Sequence, residues 1–281
     1  MQTFDEYSRK YKFVKMERRN GILLMITHSK GDTLNWSYKD PDAYPGIYYE
    51  LAEAWNDIGS DVENKVVIWT GAGDGFMGPA GTGQPAPPRS ARGWERSNWK
   101  GRYMQSGLLN IDVPVICAIN GPALKHADLC FLCDIILCAD HAKFQDSHMF
   151  CDTVPGDGAH VVYPAVMGLA RARYFLLLSE TISAEQALQM GIVNEVMPKA
   201  KLMARAWEIA ELLAAKPPLV TRFARTLLVQ DLRRKMLDAQ GYGLALEGLA
   251  NLDDDPSHIM QRDYPKQSGV KLRRSDVERD T

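Results

Sequence analysis

The chain alternates between short apolar runs and longer stretches in which apolar residues recur every three to four positions. Residues 13–17 alternate polar and apolar and predict a strand, Asn20-Gly21 is the signal of a two-residue hairpin, and 22–27 returns as a second strand. Leu51, Ala54, Trp55 and Ile58 lie at helical spacing within 48–58. Residues 66–70 (VVIWT) and 113–119 (VPVICAI) are almost wholly apolar, the pattern of parallel strands buried on both faces. Further strands are predicted at 134–139, 142–145 and 192–196. Helices are predicted at 94–109, 123–132, 159–167, 170–179, 201–214 and 219–251. Ser183 and Gln186 form a capping box before another helix, which Gly191 stops. This alternation predicts an α/β fold with mostly parallel pairing. Two segments break the pattern. Residues 71–93 are rich in Gly and Pro and predict an irregular loop near a binding site. From 253 onward the chain is charged and poor in apolar residues, which predicts a partner-packed or disordered tail.

Composition narrows the function. With 281 residues and 46% hydrophobic content the chain can bury a sizeable core. A formal charge of −2 gives no electrostatic case for nucleic acid or an anionic membrane surface. No apolar run approaches the roughly 20 residues that span a bilayer, and the polar N-terminus does not resemble a signal peptide. A soluble, cytoplasmic protein is the expectation. Five cysteines, an odd number, argue against a disulfide framework. Cys130 and Cys133 form a CxxC in apolar surroundings without a second ligand pair, so buried thiols are expected and no metal site.

Candidate chemistry concentrates in 144–160, FQDSHMFCDTVPGDGAH. Asp146, His148, Asp152, Asp157 and His160 crowd around Pro155-Gly156. An imidazole beside carboxylates is the material of a general base and its orienting acid; a polar surface loop would have the same composition. No GxSxG elbow or nucleotide-binding glycine fingerprint is present.

The motifs KVVIWTGAGDGFMG, VPVICAINGPAL, CDIILCADHAKFQDSH…VPGDGAH and AEQALQMGIVNEVM, in that order, resemble the crotonase (enoyl-CoA hydratase/isomerase) superfamily over about 13–250. The resemblance implies a crotonase-type ββα spiral core over 1–197, a C-terminal helical trimerisation region over 198–252, and the charged tail over 253–281. It also implies two backbone N–H groups that stabilise an enolate-like oxyanion.

The departures narrow it further. CoA-dependent members carry a glycine triplet where this chain has Lys125-His126-Ala127, and the acid after the Phe76-Met77-Gly78 motif is missing. Seven residues before Pro155, where hydratases keep a catalytic glutamate, stands His148. Asp128 is at best the counterpart of their second glutamate. The pattern resembles the 6-oxocamphor hydrolase and β-diketone hydrolase branch, through Trp36, His126, His148, Asp157 and Glu247. That branch cleaves a carbon–carbon bond between two carbonyls without CoA. Pro41 stands where the camphor-diketone enzyme has a histidine.

The implied reading is a cofactor-independent β-diketone hydrolase acting through a retro-Claisen step to a keto acid. His148 is expected as base and Asp157 as its orienter. His126, Trp36 and the Gly78 N–H are expected as donors to the substrate oxygens. Glu247 is expected to place water or share the proton traffic. Asp146 and Asp152 are expected to be solvated. The implied partners are a small diketone and further copies of the chain, in a homotrimer or dimer of trimers; no nucleic acid, membrane or cofactor is expected. The alternatives are a CoA-ester hydratase or hydrolase, and a non-catalytic binding module.

Overall fold

The computed structural model describes residues 3–36, 46–78 and 90–252. Pro41, residues 79–89 of the Gly/Pro segment and the tail from 253 lie outside the described residues.

A short helix α1 (Phe4–Tyr7) precedes the hairpin β1 (Val14–Arg19) and β2 (Ile22–Thr27). Asn20 and Gly21 both have positive φ, at 55° and 83°. That conformation matches the twist of two antiparallel strands. Next come α2 (Ile47–Ser60), β3 (Val66–Gly71), α3 (Ala91–Leu109), β4 (Val115–Ile119), β5 (Ile135–Ala139) and β6 (Lys143–Gln145). The chain continues through α4 (Ala159–Met167), α5 (Leu169–Leu178), β7 (Thr181–Ser183), α6 (Ala184–Gln189) and β8 (Glu195–Met197). It closes with α7 (Lys199–Ala214), α8 (Pro218–Leu228) and α9 (Gln230–Asn251). The main sheet has the order β1-β2-β3-β4-β5-β8, parallel except for the β1–β2 hairpin.

Each passage from the sheet adds a short extended step to a second layer. Leu34, Met77, Ala123 and Phe144 follow β2, β3, β4 and β5 and are linked in that order by parallel bridges. This repetition is the α/β spiral that the sequence predicts. The apolar strands are buried on both faces, as their composition requires. Val67, Trp69, Cys117 and Ile119 face the larger core, where Trp69 meets Trp55 of α2 with ring centroids 5.3 Å apart. Val66, Ile68, Ile116 and Leu137 face α7. Leu202, Ala206 and Ala210 recur every four residues on α7, and the two small residues let the helix lie close to the sheet. The expected boundary at 198 therefore falls just before a helix that seals the sheet.

Two elements differ from expectation. Residues 123–132 do not form one helix. Ala123 is pinned between Met77 and Phe144, with its N–H donated to Lys143 O at 2.8 Å. Only then does the chain turn, through His126 at φ 54° and ψ 35°, into a 3-10 helix over Ala127–Leu132. Residues 219–251 split at Val229 into α8 and α9. Arg225, buried on α8, ties that helix to Asp134 at 2.6 Å and to the Ile111 carbonyl. The chain is then redirected so that Met236, Gln240, Gly243, Leu244, Glu247 and Gly248 form the inner face of α9.

That face meets the Pro155-Gly156 turn at very short range. A Cβ on Gly156 would lie 2.2 Å from Gly243 O and 2.8 Å from Glu247 Cβ. Gly156 is not among the glycines with positive φ, so the requirement is space. Gly156→Ala should therefore force α9 from the turn, destabilising the fold by about 1–3 kcal/mol. Urea unfolding should report a lower midpoint at an unchanged slope; an unchanged midpoint would show that the contact tolerates a methyl group.

Candidate active site

The site forms where three parts of the chain meet: the left-handed turn at His126, the loop after β6, and the inner face of α9. Trp36 and Tyr48 enter from the first layers of the spiral.

The loop after β6 places His148 through its own backbone. Asp146 Oδ1 accepts the His148 N–H at 3.0 Å, a side-chain-to-backbone turn two residues long. The same carboxylate holds the ring, with Nδ1 2.9 Å from Oδ1 and 3.2 Å from Oδ2. Asp146 is 0% exposed, so the expectation of a solvated Asp146 is corrected: it is the residue that orients His148. Asp157 lies on the other side of the ring, with Oδ2 3.4 Å from Nε2. Thus Asp157 does not hold the orienting nitrogen of His148; it faces the second one, more loosely.

Asp157 also meets His126. Its Oδ2 is 3.1 Å from His126 Nδ1, within reach but off the line of a good hydrogen bond. His126 Nε2 is 3.0 Å from Tyr48 OH. Trp36 packs edge-on against His126 and tilted against Tyr48, at 4.5 and 4.9 Å between centroids. One carboxylate oxygen therefore lies between two imidazoles. Gln240 of α9 fixes the backbone beneath it, donating from Nε2 to Asp157 O at 2.6 Å.

The electrostatics follow from this placement. Burial disfavours a charged His148, but Asp146 and Asp157 outweigh it and raise its pKa well above the usual histidine value. Burial likewise disfavours an ionised Asp157, yet the His148 charge and the nearness of both imidazoles hold it well below the usual carboxylate range. Burial lowers the pKa of His126, against the pull of Asp157. Glu247 is buried, and burial first, then Asp157 and Asp146, push it up to about 8 while His148 opposes them. Asp128 is raised well above the usual value by burial and by the charges of Asp157 and Asp146. It accepts from Gln105 Nε2 at 3.3 Å.

Trp36 Nε1, His126 Nδ1, Asp128 Oδ1 and Glu247 Oε2 are buried without a hydrogen-bond partner among the described residues. Unpaired polar atoms are costly inside a protein; His126 Nδ1 at least faces Asp157, whereas Trp36 Nε1 and Glu247 Oε2 mark a place suited to receive polar atoms from outside.

The structure brings Trp36, His126, His148, Asp157 and Glu247 into one neighbourhood. Gly78 is the exception: its N–H is donated to Leu34 O at 2.7 Å in the second layer, so the expected oxyanion donor is already committed. His160 clips the turn to α9, with Nδ1 3.0 Å from Pro155 O and Nε2 3.2 Å from Ala239 O. Asp152 ends a short 3-10 helix with φ 53° and is half-buried. Sequence reasoning missed Asp146, Tyr48, Gln105 and Gln240. Asp146 carried a usable signal, an Asp two residues before the histidine, the spacing of a local carboxylate-to-N–H turn. The others come from distant helices and carried none. Four of the five cysteines are buried and all five are free thiols. Among the described residues no cluster could hold a metal ion, and no helix is long and apolar enough to cross a membrane.

Comparison with known proteins gives the family and agrees with the fold. Residues 44–244 match the enoyl-CoA hydratase/isomerase family, and the chain belongs to it, within the crotonase superfamily. A β-diketone hydrolase from the cyanobacterium Anabaena sp. PCC 7120, bound to (S)-3-oxocyclohexyl acetic acid, is similar in structure with a TM-score of 0.81 and 40% identity. The match covers 88% of this chain and 97% of that one. A carnitinyl-CoA dehydratase from Escherichia coli (strain K12) is 31% identical over 202 residues, 72% of this chain and 74% of the relative. An enoyl-CoA hydratase/isomerase from Mycobacterium paratuberculosis shares the fold, with a TM-score of 0.76 at 23% identity over 90% of this chain and 97% of that one.

Because Asp146 stabilises the charged ring, Asp146→Asn should bring the His148 pKa down toward the usual value. An NMR pH titration of the His148 ring reads this directly. The sign carries over to stability: a raised pKa stabilises the fold below the unfolded value and loses that contribution as pH rises through the folded one. The wild-type advantage over Asp146→Asn should therefore shrink on the alkaline side. An unmoved His148 titration in the variant would rule the assignment out.

Proposed function

We propose that this protein hydrolyses the carbon–carbon bond between the two carbonyls of a β-diketone to give a keto acid, by a retro-Claisen reaction that needs no cofactor. The observation that carries the reading is the Asp146–His148–Asp157–His126 array, which occupies the region where CoA-dependent relatives are expected to use glutamates and a glycine triplet. The 40% identical β-diketone hydrolase supports it. A ring ketone carrying an acetic acid arm, the compound in that relative, is what retro-Claisen hydrolysis of a bicyclic β-diketone leaves.

The chemistry divides the two carboxylates. Asp146 holds His148 Nδ1 at 2.9 Å and keeps the ring in place. Nε2, 3.4 Å from Asp157, is the looser side and the one that yields to water. When the ring is neutral, Nε2 takes a proton from water as the hydroxide adds to one carbonyl carbon. The tetrahedral alkoxide collapses, the bond to the carbon between the carbonyls breaks, and its electron pair passes to the second carbonyl as an enolate. The imidazolium returns its proton to that carbon, and the new carboxylic acid ionises. Trp36 Nε1–H and the Glu247 carboxyl, which is largely protonated at neutral pH with a pKa of about 8, are the donors for the two substrate oxygens.

A second reading, a CoA-ester hydratase or hydrolase, is favoured by the similarity to carnitinyl-CoA dehydratase. Direct binding of an acyl-CoA with micromolar affinity, and no loss of diketone, would select it. For the assembly we propose a homotrimer or dimer of trimers. Leu219, Val220, Phe223, Leu227 and Leu228 on α8, with Leu237, Tyr242 and Leu249 on α9, are exposed apolar side chains that a neighbouring copy would cover.

Purified protein incubated with bicyclic 1,3-diketones should consume them, followed by loss of diketone absorbance. His148→Ala and Asp157→Ala should each reduce kcat by roughly 100- to 10,000-fold. Acid holds His148 in its charged form, so kcat/KM should fall as pH drops below neutrality, and it should fall again above about 8 as Glu247 ionises and loses its donor proton. Near-normal turnover in either variant, or an acidic optimum, would sink the assignment.

A further inference from the structure

Resting on the hydrolase reading above, the geometry points to Tyr48, backed by Lys125, as a positioning residue that fixes the tautomer of His126 and through it the place of the Asp157 carboxylate. Neither residue is part of the His/Asp array, and neither needs to touch the substrate for this role.

The argument is one of donors and acceptors. An ionised carboxylate only accepts, so the His126 nitrogen facing Asp157 Oδ2 at 3.1 Å is stable there only if it carries the proton. Were the proton on Nε2, the lone pair of Nδ1 would point at a negative oxygen. With the proton on Nδ1, Nε2 becomes an acceptor, and Tyr48 OH lies 3.0 Å from it. A phenol can donate or accept, so something must choose. The Asp157 carboxylate chooses: with the proton held on Nδ1, Nε2 can only accept, and Tyr48 must donate. The Lys125 side chain lies near the Tyr48 oxygen, where a positive charge favours a phenol that turns its proton away toward His126.

Each proton in the resulting chain has a direction: from Tyr48 O–H to His126 Nε2, and from His126 Nδ1–H toward Asp157. On the far side of Asp157, both nitrogens of His148 face carboxylates and so both carry protons in the resting site. The His126 Nδ1–H and the His148 Nε2–H both point toward Asp157. The rings are held in this order by packing as well. Tyr48 stands edge-on to His126 with centroids 5.4 Å apart, and Trp36 contacts both.

The consequence concerns which groups remain for the diketone. His126, expected from sequence to donate to a carbonyl oxygen, has one nitrogen turned to Asp157 and the other receiving a proton. It has no N–H to spare while Tyr48 is in place. Its work in this arrangement is to keep Asp157 ionised and correctly placed opposite His148 Nε2. Tyr48 sets that arrangement from the outside.

The test uses full-length protein labelled with ¹⁵N histidine, and Tyr48→Phe, which removes the hydroxyl but keeps the ring. Two-dimensional ¹H–¹⁵N spectra report which nitrogen of His126 bears the proton. The wild type should show the Nδ1–H form, and Tyr48→Phe should shift it toward Nε2–H or a mixture. With a diketone that is turned over, the variant should lose roughly 10- to 100-fold in kcat with KM little changed, because the carboxylate is misplaced and binding is not. Should Tyr48→Phe fail to fold, Lys125→Gln probes the same chain and should move the His126 signal in the same direction. An unchanged tautomer in a folded variant overturns the proposal. So does a rise in KM at constant kcat, which would make Tyr48 a substrate contact. The spectra need no substrate, so failure of the hydrolase reading and failure of this inference are separately visible.

Discussion

The site rests on the cost of burying carboxylates. Asp146 and Asp157 lie within a few ångströms of one imidazole, and both are almost wholly out of water. Two unpaired negative charges in such a place would be prohibitive. His148 compensates both by carrying a charge of its own, and His126, with Tyr48 behind it, adds donors on the open side of Asp157. The neighbouring acids respond to the same field. Asp128 and Glu247 are pushed toward their neutral forms by burial first, and further by the charges of Asp157 and Asp146. The protonation states are therefore properties of the group, and a change at one member redistributes charge across the others.

The fold supplies what this arrangement needs, which is rigidity from several directions at once. The two-layer spiral delivers Leu34, Met77, Ala123 and Phe144 to one ladder, and the functional segments follow directly from it: Trp36 after Leu34, His126 after Ala123, Asp146 and His148 after Phe144. Each therefore leaves a backbone already paired in the ladder, on both sides for Ala123 and Phe144. The remaining wall comes from α9, whose small Gly243 lets the Pro155-Gly156 turn approach within contact of its backbone. Gln240 reaches the Asp157 carbonyl and His160 reaches back to Ala239. The turn and the helix thus hold each other, and Glu247 enters the site as a by-product of that packing.

Sequence carried the strands well because their signal is local: VVIWT and VICAI have to be buried on both faces wherever they go. It singled out His148 and Asp157 as candidates because the Pro155-Gly156 turn fixes a count along the chain. It failed on Asp146, Tyr48 and the break at Val229 for different reasons. An aspartate in a polar loop looks the same whether it faces water or a ring, and only the backbone bond to His148 decides. Tyr48 stands at the start of an amphipathic helix whose apolar stripe reads correctly without it. The Val229 break depends on Arg225 reaching Asp134, more than ninety positions away along the chain. Gly78 failed because its N–H is claimed by Leu34, a pairing that no local pattern encodes.

His126 is where backbone and side chain have separate origins. Its φ of 54° and ψ of 35° lie in the left-handed region, where a residue with a Cβ pays roughly 1–2 kcal/mol. The resemblance to CoA-dependent crotonases places a glycine at this position, which would occupy the same backbone without strain. The chain here keeps the turn, since Ala123 is still pinned in its ladder and the 3-10 helix must still begin at Ala127. It accepts the strain in return for a ring that meets Trp36, Tyr48 and Asp157 together. In filling the space above the turn, that ring replaces a backbone-lined surface with a side-chain donor network. Where the resemblance places a glycine N–H, this site presents carboxylates held at fixed distances from imidazoles. That exchange is the physical difference between this site and the glycine-lined one, and it follows from a single residue that tolerates the left-handed turn because its side chain is caught on every side.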